Sequence, residues 1–273
     1  MTDLYYEVCG GGPVLLVVPG GAGHPMGLEG MTERLATWFT VVTYDPLGLA
    51  HGRLGEPVED QRVQAWSEGA RRVLDAVLPN GESAYVFGSS SGAIAALDLL
   101  ARHPQRLRHV VAHEPPVVAV LDDAVAQRAM FTEVYEVYRA AGLEAAAARL
   151  GAGLTGTTPG KLPSGAAQPP SPADELSHPM PLFLTRVLRQ FTAYEPDVTA
   201  LTALSPRLTL GAGVDSRGQL LHRTASLAAE LSGGGFVEFP GGHVGALEHP
   251  VEFAEQLAET LLPAGAPGVP LTT

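Results

Sequence analysis

Apolar residues in this chain fall in short runs separated by polar and helix-forming stretches. Runs rich in Val, Leu and Phe lie at 14–18, 40–44, 84–87, 109–112, 207–210 and 235–239. Their length and β-branched content predict strands buried on both faces. A weaker stretch at 4–8, followed by Gly10, Gly11, Gly12 and Pro13, predicts an edge strand and a turn. Helical patterns at 28–37, 61–78, 92–102, 219–231 and 251–262 alternate with these runs. Buried strands alternating with helices predict an α/β fold: a mostly parallel sheet flanked by helices on both faces.

The alternation stops after Pro115 and Pro116. A helical run at 122–141 and an Ala-rich one at 143–150 lead into a Gly/Pro/Ser-rich loop, and a further helix is expected at 173–194. Residues 117–205 therefore read as a helical cap inserted into a core formed by 1–116 and 206–264. Long irregular stretches inside compact domains are usually functional. The ending at 265–273, rich in Pro and Gly, is expected to be disordered.

Composition narrows the classes. A chain of 273 residues, 45% hydrophobic, is long enough to bury one large core. A formal net charge of −12 argues against nucleic acid as a partner and against an anionic membrane surface. The longest apolar runs are strand-sized, too short to span a bilayer. Cys9 is the only cysteine, so no internal disulfide can form. The first residues, MTDLYYEV, lack a basic stretch followed by an apolar run, and a cytoplasmic location is expected.

The stretch VFGSSSGAIAALDLLA holds the pattern G-x-S-x-G, with Ser90 at its centre, where a strand becomes a helix. A tight turn there lifts the serine hydroxyl clear of the backbone. Gly88 and Gly92 are explained by crowding: a Cβ at either would collide with neighbouring backbone. Ser90 is thus the candidate nucleophile, and the Ser91 N–H, at the start of the helix, a candidate oxyanion donor. A serine needs a base. Of the nine histidines, His243 in FPGGHVGALEHP follows the last strand, at the same sheet edge as the elbow. His249, just before Pro250, suits the cap of the final helix instead. The second oxyanion donor should follow an early strand. LLVVPGGAGH supplies it, with Gly21 preferred and Gly20 and Ala22 beside it. Neither phosphate-loop nor dinucleotide spacing occurs in those glycines.

Two acids compete to orient His243. Asp215 follows a late strand in LTLGAGVDSRG, and Glu114 ends the strand after the elbow helix in RHVVAHEPP. The glycines before Asp215 do not give the usual G-x-x-D turn, and Asp215 also suits a helix N-cap. His109 and His113 could suggest a metal site, but on a strand they stand about 13 Å apart, so no metal is expected.

Together, FGSSSGA, VPGGAGH, HEPP and FPGGHVGALEHPVEFA resemble the α/β-hydrolase superfamily, and within it most closely the zearalenone-lactonase-type serine hydrolases. That resemblance covers residues 5–116 and 207–262. It implies the α/β-hydrolase fold with an inserted cap and a triad of Ser90, Glu114 and His243, Asp215 being the alternative acid. It also implies an oxyanion hole from Gly21 and Ser91. Hydrolysis would pass through an acyl-enzyme without cofactor or metal. A seryl elbow separates the chain from relatives that place an Asp there. The same triad also serves carbon–carbon-bond hydrolases, cofactor-free perhydrolases and slow-turnover receptors. The expected partner is a small hydrophobic ester or lactone, with a homodimer left open. Gly20, Ala22, Met130, Tyr135, Leu182, Phe183 and Phe191 are the candidate substrate contacts, the last five lying among the cap's apolar and aromatic residues. The zearalenone group lays a cap tryptophan over its macrocycle. Trp38 and Trp66, the two tryptophans here, both precede the cap.

Overall fold

A computed structural model of the chain describes residues 4–25, 27–158 and 170–262. The core elements in chain order are β1 (Tyr6–Gly10), β2 (Val14–Val18), α1 (Glu29–Leu35), β3 (Thr40–Tyr44), α2 (Val63–Val77), β4 (Ala84–Ser89), α3 (Ser91–Arg102) and β5 (Leu107–His113). A helical insertion then follows: α4 (Ala124–Thr155), α5 (Pro172–Glu175), α6 (Pro179–Leu182), α7 (Leu188–Thr192) and α8 (Val198–Ala203). The core resumes with β6 (Leu208–Gly213), α9 (Leu220–Ser232), β7 (Gly235–Phe239), α10 (Gly245–Glu248) and α11 (Pro250–Leu261).

The strands form one seven-stranded sheet in the order β1-β3-β2-β4-β5-β6-β7. Only β1 runs antiparallel, against β3; the other pairs are parallel. Alternate side chains serve two cores. Leu15, Val17, Val41, Phe87 and Val111 pack towards α1 and α11, with Met31, Leu35 and Phe253. Leu16, Val18, Val42, Val86 and Val110 pack towards α2, α3 and α9, with Trp66, Ile94 and Leu221. Near-continuous apolar strands are what a sheet covered on both faces requires.

The insertion departs from its expected form. Helix α4 is long but breaks at Gly142, whose φ of 82° and ψ of −171° suit glycine alone. Its two halves lie side by side: Arg149 pairs with Glu133 at 2.7 Å, and a Cβ on Gly153 would stand 2.4 Å from the Met130 sulfur. The single helix expected at 173–194 is instead α5, α6, a π-helical turn at Phe183–Val187, and α7. Pro179 is the reason for the break before α6. It cannot donate within a helix, but it fits a first helical position. The expected loop at 151–172 is helical up to Thr155, and its residues 159–169 lie outside the described residues, as does the tail at 265–273. Among the described residues no helix is long and apolar enough to cross a membrane.

Candidate active site

The elbow is built as its glycines require. A Cβ on Gly88 would stand 2.4 Å from the Gly92 carbonyl oxygen, and one on Gly92 would stand 2.1 Å from that of Val18. Between them Ser90 adopts φ 53° and ψ −118°, a sparsely populated conformation for a residue with a side chain. Its N–H donates to the His113 carbonyl at 2.9 Å, which ties the elbow to the end of β5. Ser91 opens α3, so its N–H belongs to the first turn and has no partner within the helix. Gly21, at φ 58°, has nothing within 4 Å of where a Cβ would project, and it lines the cavity.

Glu114 is the residue just after β5 and the second non-glycine with positive φ, at 47°. Its N–H donates to the Gly211 carbonyl at 2.8 Å. Its carboxylate is fully buried and both oxygens are engaged. Oε1 accepts from the Gly213 N–H at 3.0 Å and from the Ser216 hydroxyl, and Oε2 lies 2.8 Å from His243 Nδ1. Burial alone would raise this carboxyl. The bonds from His243 and Ser216 and the nearby imidazoles outweigh it and hold the group at about 2. An ionised Glu114 keeps a proton on His243 Nδ1, which leaves Nε2 to accept one. His243 stands 30% exposed, on the loop between β7 and α10. Ser90 and His243 line the same cavity, and no hydrogen bond joins them among the described residues. Such bonds commonly tighten only around a substrate.

Asp215 is exposed and does not hold the imidazole. Its N–H donates to the Gly241 carbonyl at 3.0 Å, and it lies in a short turn ahead of α9, whose N-cap is Gln219. His249 does occupy the N-cap of α11, but its side chain makes no capping bond. His109 bonds Thr209 Oγ1 at 2.8 Å. His113 is buried edge-on against Phe239 and Phe253, and burial holds it down at about 4, so it is neutral at ordinary pH.

The cavity measures about 420 Å³. Gly20, Gly21, Ala22, His24, Ser89, Ser90, Ser91 and His243 form its core side. The cap contributes Phe131, Leu150, Leu154, His178, Pro179, Met180, Phe183, Leu188 and Thr192, and Val244 and Leu247 stand exposed at the rim. Of the cap residues expected to touch substrate, Phe183 lines the cavity. Met130, Tyr135, Leu182 and Phe191 do not. Met130 packs on Gly153, Arg189 stacks on Tyr135 at 3.7 Å, Leu182 is fully buried, and Phe191 meets Trp66 edge-on at 4.7 Å. Met130 and Tyr135 pack within the cap and Phe191 joins the cap to α2, rather than facing a ligand. Ser216 and His178 carry no motif that would single them out, VDSRG and SHPMP reading as ordinary turn sequence; His24 ends VPGGAGH, a motif that assigns it no role.

The model of the family described as the alpha/beta hydrolase fold matches residues 13–250. The chain belongs to the α/β-hydrolase family. It is a hydrolase of that type, and its relatives agree. An uncharacterized hydrolase, YraK, of Bacillus subtilis (strain 168) is 31% identical over 266 residues, covering 95% of this chain and 93% of that protein. A zearalenone hydrolase of Bionectria ochroleuca is 32% identical over 130 residues, 44% of this chain and 48% of that one. Among solved α/β-hydrolase structures, a thermophilic esterase from Thermogutta terrifontis superposes with a TM-score of 0.66 at 19% identity, covering 94% of this chain and 92% of that one.

Proposed function

We infer that the protein is a serine hydrolase that cleaves an uncharged carboxylic ester or lactone of a hydrophobic small molecule. One observation carries this reading: the buried Glu114 carboxylate bonds His243 Nδ1 at 2.8 Å, at the edge of a cavity whose core wall holds a strained Ser90. In the proposed reaction His243 Nε2 takes the Ser90 proton as Ser90 Oγ attacks the carbonyl carbon. The oxygen that becomes negative is received by the Gly21 and Ser91 N–H groups, where losing one such donor typically costs about 10²–10³ in rate. Glu114 fixes the tautomer and stabilises the imidazolium. His243 then protonates the departing alkoxide, which in a lactone stays attached as a hydroxyl. Water, deprotonated by His243, releases the acid and restores Ser90. Nucleophile, base and donors are all side chains or backbone, so the proposal calls on no metal or redox group.

The cavity's lining supports an uncharged substrate. Among the described residues that form it there is no Lys, Arg, Asp or Glu. A charged group buried there would lose water and gain no countercharge. A zearalenone-like macrolactone belongs to the proposed class, and the partial match to the zearalenone hydrolase speaks for it. Here, however, Trp66 is buried against Phe191 and Trp38 lies in the core beneath Arg34, so neither offers a ring to the cavity. A macrocycle would meet Phe131 and Phe183 instead. The test is covalent trapping. A fluorophosphonate should add one adduct, located by peptide mass spectrometry at Ser90, and Ser90→Ala should take none. An adduct on another residue, or none on the folded wild type, would overturn the assignment.

A further inference from the structure

The cap wall of the cavity is almost wholly apolar. Among its described residues only His178 and Thr192 carry polar side-chain atoms. The Thr192 hydroxyl is committed, donating to the Leu188 carbonyl at 2.8 Å. His178 is different. It precedes Pro179, which confines it to extended backbone, and it adopts φ −157° and ψ 149°. From that conformation its Nδ1 accepts the Met180 N–H at 3.2 Å. A neutral imidazole with Nδ1 occupied as acceptor carries its proton on Nε2. His178 therefore presents an N–H donor, with the tautomer fixed by the local chain, on a wall that otherwise offers hydrocarbon.

We propose that His178 is the specificity-determining donor of the cavity, and that the preferred substrates carry a second hydrogen-bond acceptor remote from the scissile carbonyl. That acceptor is an uncharged carbonyl, ether or hydroxyl oxygen. The first carbonyl sits at the elbow, between Ser90 and Gly21. The second acceptor takes the His178 Nε2–H, and the apolar stretch between them lies against Phe131 and Phe183. An apolar wall with one well-placed donor rejects molecules lacking the matching acceptor only weakly, because the donor can turn back to water at the exposed mouth. The expected selectivity is correspondingly modest. This inference rests on the cavity being the substrate site, but it is tested by binding rather than by turnover.

The experiment is isothermal titration of a linear ten-carbon methyl ketone, compared with diketones of the same length whose second carbonyl is moved stepwise along the chain. In the wild type at least one diketone should bind about fivefold tighter than the monoketone, the size expected of one hydrogen bond. In His178→Phe the diketone-to-monoketone affinity ratio should fall to about one, whatever the change in monoketone affinity itself. In His178→Gln, which keeps an amide donor, part of the gain should return. A merely structural role for His178 would move all ketones together. The proposal is overturned if no diketone gains over the monoketone, if the gain survives in His178→Phe, or if no ketone binds. Trapping at Ser90 is scored separately. A diketone gain that depends on His178 without labelling at Ser90 would remove the hydrolase reading and keep only His178 as the donor that selects the cavity's ligands.

Discussion

The two walls of the cavity are made by different means. On the core wall the nucleophile, and the acid buried behind the histidine, are set by a backbone that has little freedom. Ser90 and Glu114 are the two non-glycine residues of positive φ among those described, and both are tied by backbone bonds to the sheet, Ser90 to His113 and Glu114 to Gly211. The cap wall comes from an α4 broken at Gly142 and from short helical pieces after it, and it presents hydrocarbon with one donor. Bond making needs groups placed to within a fraction of an ångström, which a strained turn on a sheet supplies. Selecting a substrate needs shape, which an insertion can vary without touching the sheet.

The largest expected effect breaks the core wall. Glu114→Gln leaves the shape but removes the charge that fixes the imidazole, and kcat should fall by about 10³–10⁴. Asp215→Asn, at an exposed site, should stay within about twofold on the same substrate. Equal losses in the two variants would return the acid to an open question.

A second effect reads the core wall through pH. His113 is held at about 4 when folded, against 6.5 when free. Between those values the unfolded chain takes a proton that the folded one refuses. Stability should therefore fall as pH drops from 6.5 to 4, by on the order of 3 kcal/mol. Glu114 shifts the other way relative to its charge, from 4.5 to about 2. Its contribution is whole above 4.5 and is lost as pH falls through that lower window. Denaturant melts across pH should show His113→Leu with a shallower upper slope, the remainder belonging to His109 and His103, which burial also lowers, and with the lower slope kept. An unchanged upper slope would show that another group titrates there.

The smallest expected effect on activity separates residues that line the cavity from residues that only pack. Phe183→Ala should lower kcat/KM about tenfold on a bulky aryl ester and little on an acetate, since it enlarges the pocket without reaching the elbow. Phe191→Ala, packed on Trp66, should instead cost about 3–5 kcal/mol of stability with no selective change in substrate preference. If both variants changed preference alike, the division of the cap would be wrong.

Much of the core wall was legible in the sequence. G-x-S-x-G at a strand-to-helix junction and PGGH after a last strand are local patterns with local causes. The strands at 14–18, 40–44 and 235–239 have the bounds their apolar runs indicate. Strands β4 and β6 run further than expected because Gly88, Gly211 and Gly213 resemble turn residues yet stay in the sheet. Packing explains them: a Cβ on Gly211 would stand 2.7 Å from the Phe239 ring, and one on Gly213 would stand 2.5 Å from the Gly241 carbonyl. The choice between Glu114 and Asp215 was not decidable from spacing, because it depends on Gly213 and Ser216, remote in sequence, closing around one carboxylate. The cap was least legible. Met130, Leu182 and Phe191 are as apolar as Phe131 and Phe183, and sequence does not distinguish a side chain that packs another helix from one that faces a cavity.

The central claim is that Ser90, oriented with His243 and Glu114, hydrolyses an uncharged ester or lactone. The most direct measurement is proton release from aryl esters, simple lactones and zearalenone, with wild type beside Ser90→Ala. The account predicts that wild type hydrolyses at least one of them and that Ser90→Ala loses about 10⁴-fold or more of that activity. Activity retained in Ser90→Ala, or a folded wild type inert on the whole panel, would contradict it.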